Sequence, residues 1–162
     1  MEHLYKFCYG LTVFLGIAQG LFVLYKNPRS RVNVIWALMS FAVATWAFGL
    51  IRCLFETRYE IALLAIRFSQ YAAVLISVFF IHFCLALLNI PLKESRVAIG
   101  AYIYAIGMGG LFLTPWFVPS VSPKLFFNYY PNPGPLYVAY TILFLVFVNY
   151  SHWLLFKHLR SQ

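Results

Sequence analysis

Carboxylates are nearly missing from this 162-residue chain, which has no aspartate and four glutamates, Glu2, Glu56, Glu60 and Glu94. None lies inside an apolar run, so no intramembrane carboxylate is on hand to couple a cation or a proton. That tells against a proton pump or a sodium-coupled carrier. Phosphate-cradling glycine loops, H-E-x-x-H and a nucleophile elbow are missing as well. With no acid, base or metal cluster to replace them, the chain is expected not to be an enzyme. Cysteine is scarce: Cys8, Cys53 and Cys84 are odd in number and form no C-x-x-C, which argues against a disulfide framework and for small buried apolar side chains. Charge of either sign is also low, at 10% of residues. Soluble domains carry about 25%, so that class is excluded.

What the chain has is hydrocarbon. Apolar residues make up 63%, and mean hydropathy is +0.80. Five apolar stretches, at 7–25, 34–54, 61–88, 97–113 and 136–156, approach or exceed the roughly 20 residues a helix needs to cross a hydrocarbon core about 30 Å thick. The expected fold is an all-α, polytopic bundle of five transmembrane helices forming a single domain. The first stretch has a weakly charged start, a long apolar run and no A-x-A site, and is read as an uncleaved span rather than a signal peptide.

The net charge of +8 follows the ends of these stretches. Lys26, Arg29 and Arg31, then Lys93 and Arg96, then Lys157 and Arg160 alternate so as to share one side. The other side holds Lys6, Arg52, Arg58 and Lys124. Positive loops stay cytoplasmic, which predicts an N-terminus outside, a C-terminus inside and no nucleic-acid partner. Arg52 and Glu56 are spaced to pair on a helix but read as a solvated turn. The segment 115–135 carries six of the eight prolines together with Trp116, Phe117, Phe126, Phe127, Tyr129 and Tyr130. It is expected to be an irregular interfacial loop, or else a lid over an outward-facing pocket.

Polar residues within the spans are the candidate signal or ligand residues. At 100° per residue, Arg67, Gln70, Tyr71, Ser77 and His82 fall on one side of span three within about 140°, and Ala62, Ala65, Ala72 and Ala73 fall on the other. In span five, Thr141, Asn149 and His152 share a face with Tyr137; in span one, Gln19 shares a face with Thr12 and Gly16. Polar side chains usually turn away from lipid. Spans one, three and five are therefore expected to offer these groups to a common centre, held by interhelical hydrogen bonds or forming a ligand cavity. Arg67 is read as snorkelling to the outer interface, with an anion-holding role as the alternative. His82 and His152 lie at similar depth and offer a proton-sensitive or ligand-contacting pair, against a reading as neutral imidazoles bonded to backbone. One pair falls short of what a b-type haem generally needs, so no cofactor and no metal is expected. Gly16-x-x-x-Gly20 and the Ala101, Ala105, Gly109 row permit close helix approach.

Three motifs carry a resemblance. N-P-R-S-R-V-N at 27–33 running into I-W-A-L-M-S-F-A-V-A-T-W-A-F-G-L at 35–50, R-F-S-Q-Y at 67–71 leading to F-F-I-H-F-C-L-A-L at 79–87, and G-P-L-Y at 134–137 running to K-H-L-R at 157–160 together resemble the N-terminal seven-helix membrane (7TM) sensor region of bacterial histidine kinases. The resemblance covers most of residues 15–160. It implies an extracellular N-terminus, a bacterial cytoplasmic (inner) membrane location, and a sensory module that relays a stimulus in the lipid bilayer, such as a small apolar or amphipathic ligand. The output would be a cytoplasmic signalling protein, a C-terminal output domain or a homo-oligomer. The chain departs from the family by showing five of the seven helices, and it has neither the phosphoacceptor nor the ATP-binding domain, so kinase activity does not carry over. A small transporter or permease subunit completed by oligomerisation is the rival expectation.

Overall fold

The computed structural model describes residues 2–160, with the side chain of residue 2 left aside. Five α-helices and one β-hairpin follow in the order α1 (Glu2–Lys26), α2 (Arg31–Phe55), α3 (Tyr59–Leu87), α4 (Arg96–Leu111), β1 (Ser120–Lys124), β2 (Phe127–Asn132) and α5 (Pro135–Leu159). The apolar runs become helices, and short polar signals stop them. Pro28 breaks the turn after α1, and Ser30 caps α2 by accepting from the Asn33 amide at 3.4 Å. α3 ends on Asn89, which adopts a left-handed φ of 55°. The Ile90 amide then reaches back to the Leu85 carbonyl at 2.9 Å and the Asn89 amide to Ala86 at 3.2 Å, the paired bonds of a Schellman ending. Ser95 caps α4 through the Ala98 amide, and Pro135 opens α5, where its missing N–H has no helical partner to lose.

Four of the helices are long and apolar enough to cross a membrane: α2, α3, α5 and α1, the last counted from His3. α4 is the exception among the five expected spans. It has 16 residues, about 24 Å at 1.5 Å per residue, and ends at Leu111 rather than Leu113, short of a typical hydrocarbon core.

The helices are arranged as a row rather than a ring. α2 packs between α1 and α3, and α3 in turn carries α4 and α5 on its far side. α4 runs antiparallel to α3, with Tyr102 beside His82 and Phe112 beside Phe68. α5 runs parallel to α3, with Tyr137 near Gln70 and His152 near Phe80. Two cores result. One joins α3, α4 and α5 through Val74, Val78, Ile81, Ala101, Ala105 and Phe147. The other joins α2, α3 and the hairpin through Leu50, Cys53, Leu54, Ile66, Val118 and Phe127. Small residues set the spacing at the α2–α3 and α1–α2 contacts. A Cβ on Gly49 would collide with Ser69, and one on Gly16 would lie 2.9 Å from the Ser40 carbonyl. Of the cysteines, Cys53 and Cys84 are buried as expected, whereas Cys8 is exposed because α1 has a neighbour on one side only.

The proline-rich segment is not irregular. Ser120 pairs with Asn132, Val121 with Pro131, Ser122 with Tyr130 and Lys124 with Phe127, with a bulge between Ser122 and Lys124. A two-stranded hairpin tolerates Pro123 and Pro131 because both strands are edges and half their amides need no partner. Its apolar side, Val121 and Phe127, closes over the ends of α2 and α3, and Phe126 lies 4.4 Å from Tyr5 of α1 between ring centres.

Candidate functional site

The polar stripe of α3 is real, and each member of its first turns holds a different element. Arg67, Gln70 and Tyr71 stand at i, i+3 and i+4, which places them on one face. Arg67 donates from Nε (3.1 Å) and Nη2 (2.9 Å) to the carbonyl of Val118, at the root of the hairpin. Arg67, expected to reach toward the outer interface, is a half-buried residue whose guanidinium is engaged by the backbone at the hairpin root. Gln70 is buried, and its Oε1 accepts from the Tyr137 hydroxyl of α5 at 3.4 Å. Tyr71 donates to the Ala105 carbonyl of α4 at 3.3 Å, its ring stacked on Phe112 at 4.9 Å. The hairpin root is tied to α5 as well, since the Gly134 amide donates to Phe117 and the Leu136 amide to Trp116. Phe117 is fully buried against the rings of Tyr137 and Tyr140. One turn and a half of α3 thus joins hairpin, α4 and α5 in a single seam.

Farther along, Ser77 is buried but donates to its own helix at Val74, so it links nothing. The half-buried His82 places Nδ1 2.7 Å from the Tyr102 hydroxyl of α4. It lines a crevice of about 310 Å³ with Ser30, Arg31 and Val32 at the start of α2 and Asn89 and Leu92 of the α3–α4 turn.

The expected common centre does not form. Gln19, Thr141, Asn149 and His152 are all exposed. Gln19 cannot reach the α3 stripe because α2 stands between α1 and α3. On α5, Thr141, Asn149 and His152 each bond the carbonyl four residues back, at Tyr137, Leu145 and Val148. That local bond satisfies them without a partner helix. Nor do His82 and His152 pair. His82 meets α4, while His152 lies beside Phe80, and residues 80 and 82 point about 200° apart around α3.

At the hairpin end, Glu56 is the group the sequence undervalued. It is 8% exposed and pairs with Arg52 and Arg58, and its Oε1 accepts from the amides of Thr57 (3.1 Å) and Arg58 (3.2 Å). These bonds, led by the Arg58 amide and helped by the two guanidiniums, hold its carboxyl below the usual carboxylate range against the opposing effect of burial. The hairpin docks on the same turn: Asn128 donates to the Glu56 carbonyl and Tyr129 to the Thr57 carbonyl. The i,i+4 spacing of Arg52 and Glu56 was legible; the burial was not, because it comes from a segment some 70 residues away.

Among the described residues no three His, Cys, Asp or Glu side chains gather to hold a metal. Comparison of the chain with protein families, curated proteins and solved structures yields no match. The class defined by the fold is therefore a helical protein with four helices able to cross a membrane, capped at one end by a hairpin.

Proposed function

We propose that this chain is a membrane-embedded sensory module of the kind found ahead of cytoplasmic signalling domains in bacterial two-component kinases. In this reading it sits in the bacterial cytoplasmic membrane with the hairpin outside and the basic ends of α1 and α5 and the basic α3–α4 connection inside, and the short α4 completes five crossings. The resemblance at 27–50, 67–87 and 134–160 supports it, as does the charge on the loops. The observation that carries it is the seam: Arg67, Gln70 and Tyr71 join the hairpin root, α5 and α4 to one face of α3.

The seam supplies a route for a signal. A stimulus that lifts or shifts the hairpin moves the Val118 carbonyl, and Arg67 must follow or lose two charge-assisted bonds, each worth about 1.5–3 kcal/mol. Movement of α3 then bears on Tyr137 and hence on α5, whose last turn carries Lys157 toward the output. A ligand drives such a change only by binding one arrangement better than the other. The output is a cytoplasmic partner, a continuing domain or a second copy of the chain. No catalytic role is assigned to the chain.

The test joins a kinase output domain to the C-terminus and follows autophosphorylation in inverted vesicles. Arg67→Ala and a cysteine crosslink fixing the hairpin to α2 are expected to move the basal level in opposite directions, by at least about 5-fold if the coupling is of ordinary allosteric size. Identical phosphorylation in wild type and both variants, together with solute flux through proteoliposomes of the bare chain, moves the assignment to a transporter subunit.

A further inference from the structure

The crevice at the basic end has a chemistry that the α3 seam does not use. Its polar wall is Ser30, Arg31, His82 and Asn89, its apolar wall includes Val32 and Leu92, and no carboxylate lines it. Arg31 has no ion-pair partner among the described residues. His82 commits Nδ1 to Tyr102, and its other ring nitrogen has no partner among them. Beyond this head region the surroundings turn apolar in one direction. Trp36, about one turn deeper on α2 than Val32, lies 5.0 Å from the ring of Phe83, the residue after His82. Trp36 also lines a groove of about 290 Å³ between α1 and α2, with Leu15, Met39 and Val43 on its walls and Gln19 at its edge. A compact cationic head site with an apolar groove whose wall, Trp36, begins one turn deeper on the same helix matches an amphiphile rather than a soluble ion.

We propose that this crevice binds the phosphate of an anionic phospholipid, with Arg31 as the principal cation, His82 and Ser30 as hydrogen-bond partners, and an acyl chain passing Trp36 into the α1–α2 groove. Arg31 and Val32 also begin α2, where backbone amides lack helical partners and favour negative charge; that adds to the site and does not define it. The location agrees with the seven basic residues gathered at this end, which match the charge of an anionic leaflet. Binding here is independent of whether the chain signals.

The test offers purified full-length chain, in a neutral detergent, phosphatidylglycerol, phosphatidylcholine or inorganic phosphate, and counts retained lipid by native mass spectrometry. Wild type is expected to retain phosphatidylglycerol over phosphatidylcholine. Arg31→Gln should weaken retention about 10-fold, the equivalent of one charge-assisted bond. Arg31→Lys should restore part of it, and Leu92→Trp, which fills the crevice without touching its charge, should abolish it. Arg29→Gln removes the same charge two residues away, outside the crevice, and should change nothing. Equal losses in Arg29→Gln and Arg31→Gln would reduce the effect to diffuse surface charge and overturn the site. Displacement of the lipid by millimolar inorganic phosphate would make it a free-anion site and overturn the lipid assignment. Unchanged retention in Leu92→Trp would remove the crevice from the account.

Discussion

At the scale of single residues, the fold turns on a few small or doubly bonded side chains rather than on the number of polar ones. Gly49 shows this most directly. A methyl there would meet the Cβ of Ser69 and lie 2.8 Å from the Ala65 carbonyl, and the same contact carries the Ser69 hydroxyl donating to Trp46 at 2.7 Å. Gly49→Ala is expected to cost about 1–3 kcal/mol through overpacking. Gly107→Ala, where nothing lies within 4 Å, should be neutral or gain up to about 1 kcal/mol of helix propensity. Thermal unfolding of the two variants in micelles separates them, and equal midpoints would show that the α2–α3 contact is looser than drawn. Neither glycine stands out in the sequence. The row that does, Gly16-x-x-x-Gly20, packs α1 on α2 as the spacing suggests, because Gly16 and Gly20 are buried against Ser40, Ala44 and Phe41.

At the scale of elements, the hairpin is the part with a titratable hold. Glu56 gathers Arg52, Arg58 and two amides on the turn where Asn128 and Tyr129 dock. Folding lowers its pKa. Its contribution is therefore complete above the unfolded carboxyl value of about 4.3 and is lost as pH falls through the lower folded value. A spin label at the exposed hairpin tip, Leu125, should keep the same mobility from pH 7 to 5 and become freer below about pH 4. In Glu56→Gln it should be freer at every pH, with no step. A step that persists in the variant would place the titration elsewhere. The hairpin itself was hidden in the sequence by its prolines, which argue against strands in a wide sheet but not in a two-stranded one. Its docking depends on contacts such as Asn128 to Glu56 that no local pattern announces. α4 closes before its apolar run does: Phe112 keeps helical dihedrals and bonds Met108, and the turns that follow, Thr114 to Leu111 and Phe117 to Thr114, bring Trp116 and Phe117 to the start of α5.

At the scale of the whole molecule, the row of helices leaves α1 and α5 each with one covered face, and the basic loops at one end with the hairpin at the other. In the proposed orientation, single cysteines replacing Arg29, Lys93 or Lys157 in a Cys8→Ser background should react with a membrane-impermeant maleimide only in inverted vesicles. Those replacing Arg58 or Leu125 should react only in right-side-out ones. Labelling of position 93 from the same side as 58 and 125 would remove both α3 and α4 as crossings and leave three.

Apolar runs and loop charge by themselves determined where the helices lie and which ends belong together, since each is a property of a short window and needs no partner. Only the tertiary structure decided which helices are neighbours and which polar groups meet. When a helix is apolar all round, periodicity does not say which face is covered. A threonine, asparagine or histidine that can bond the carbonyl four residues back, as Thr141, Asn149 and His152 do, is as well satisfied outside as inside. Arg67, Gln70 and Tyr71 face inward because their partners sit on other elements, and those partners arrive only when the chain has folded.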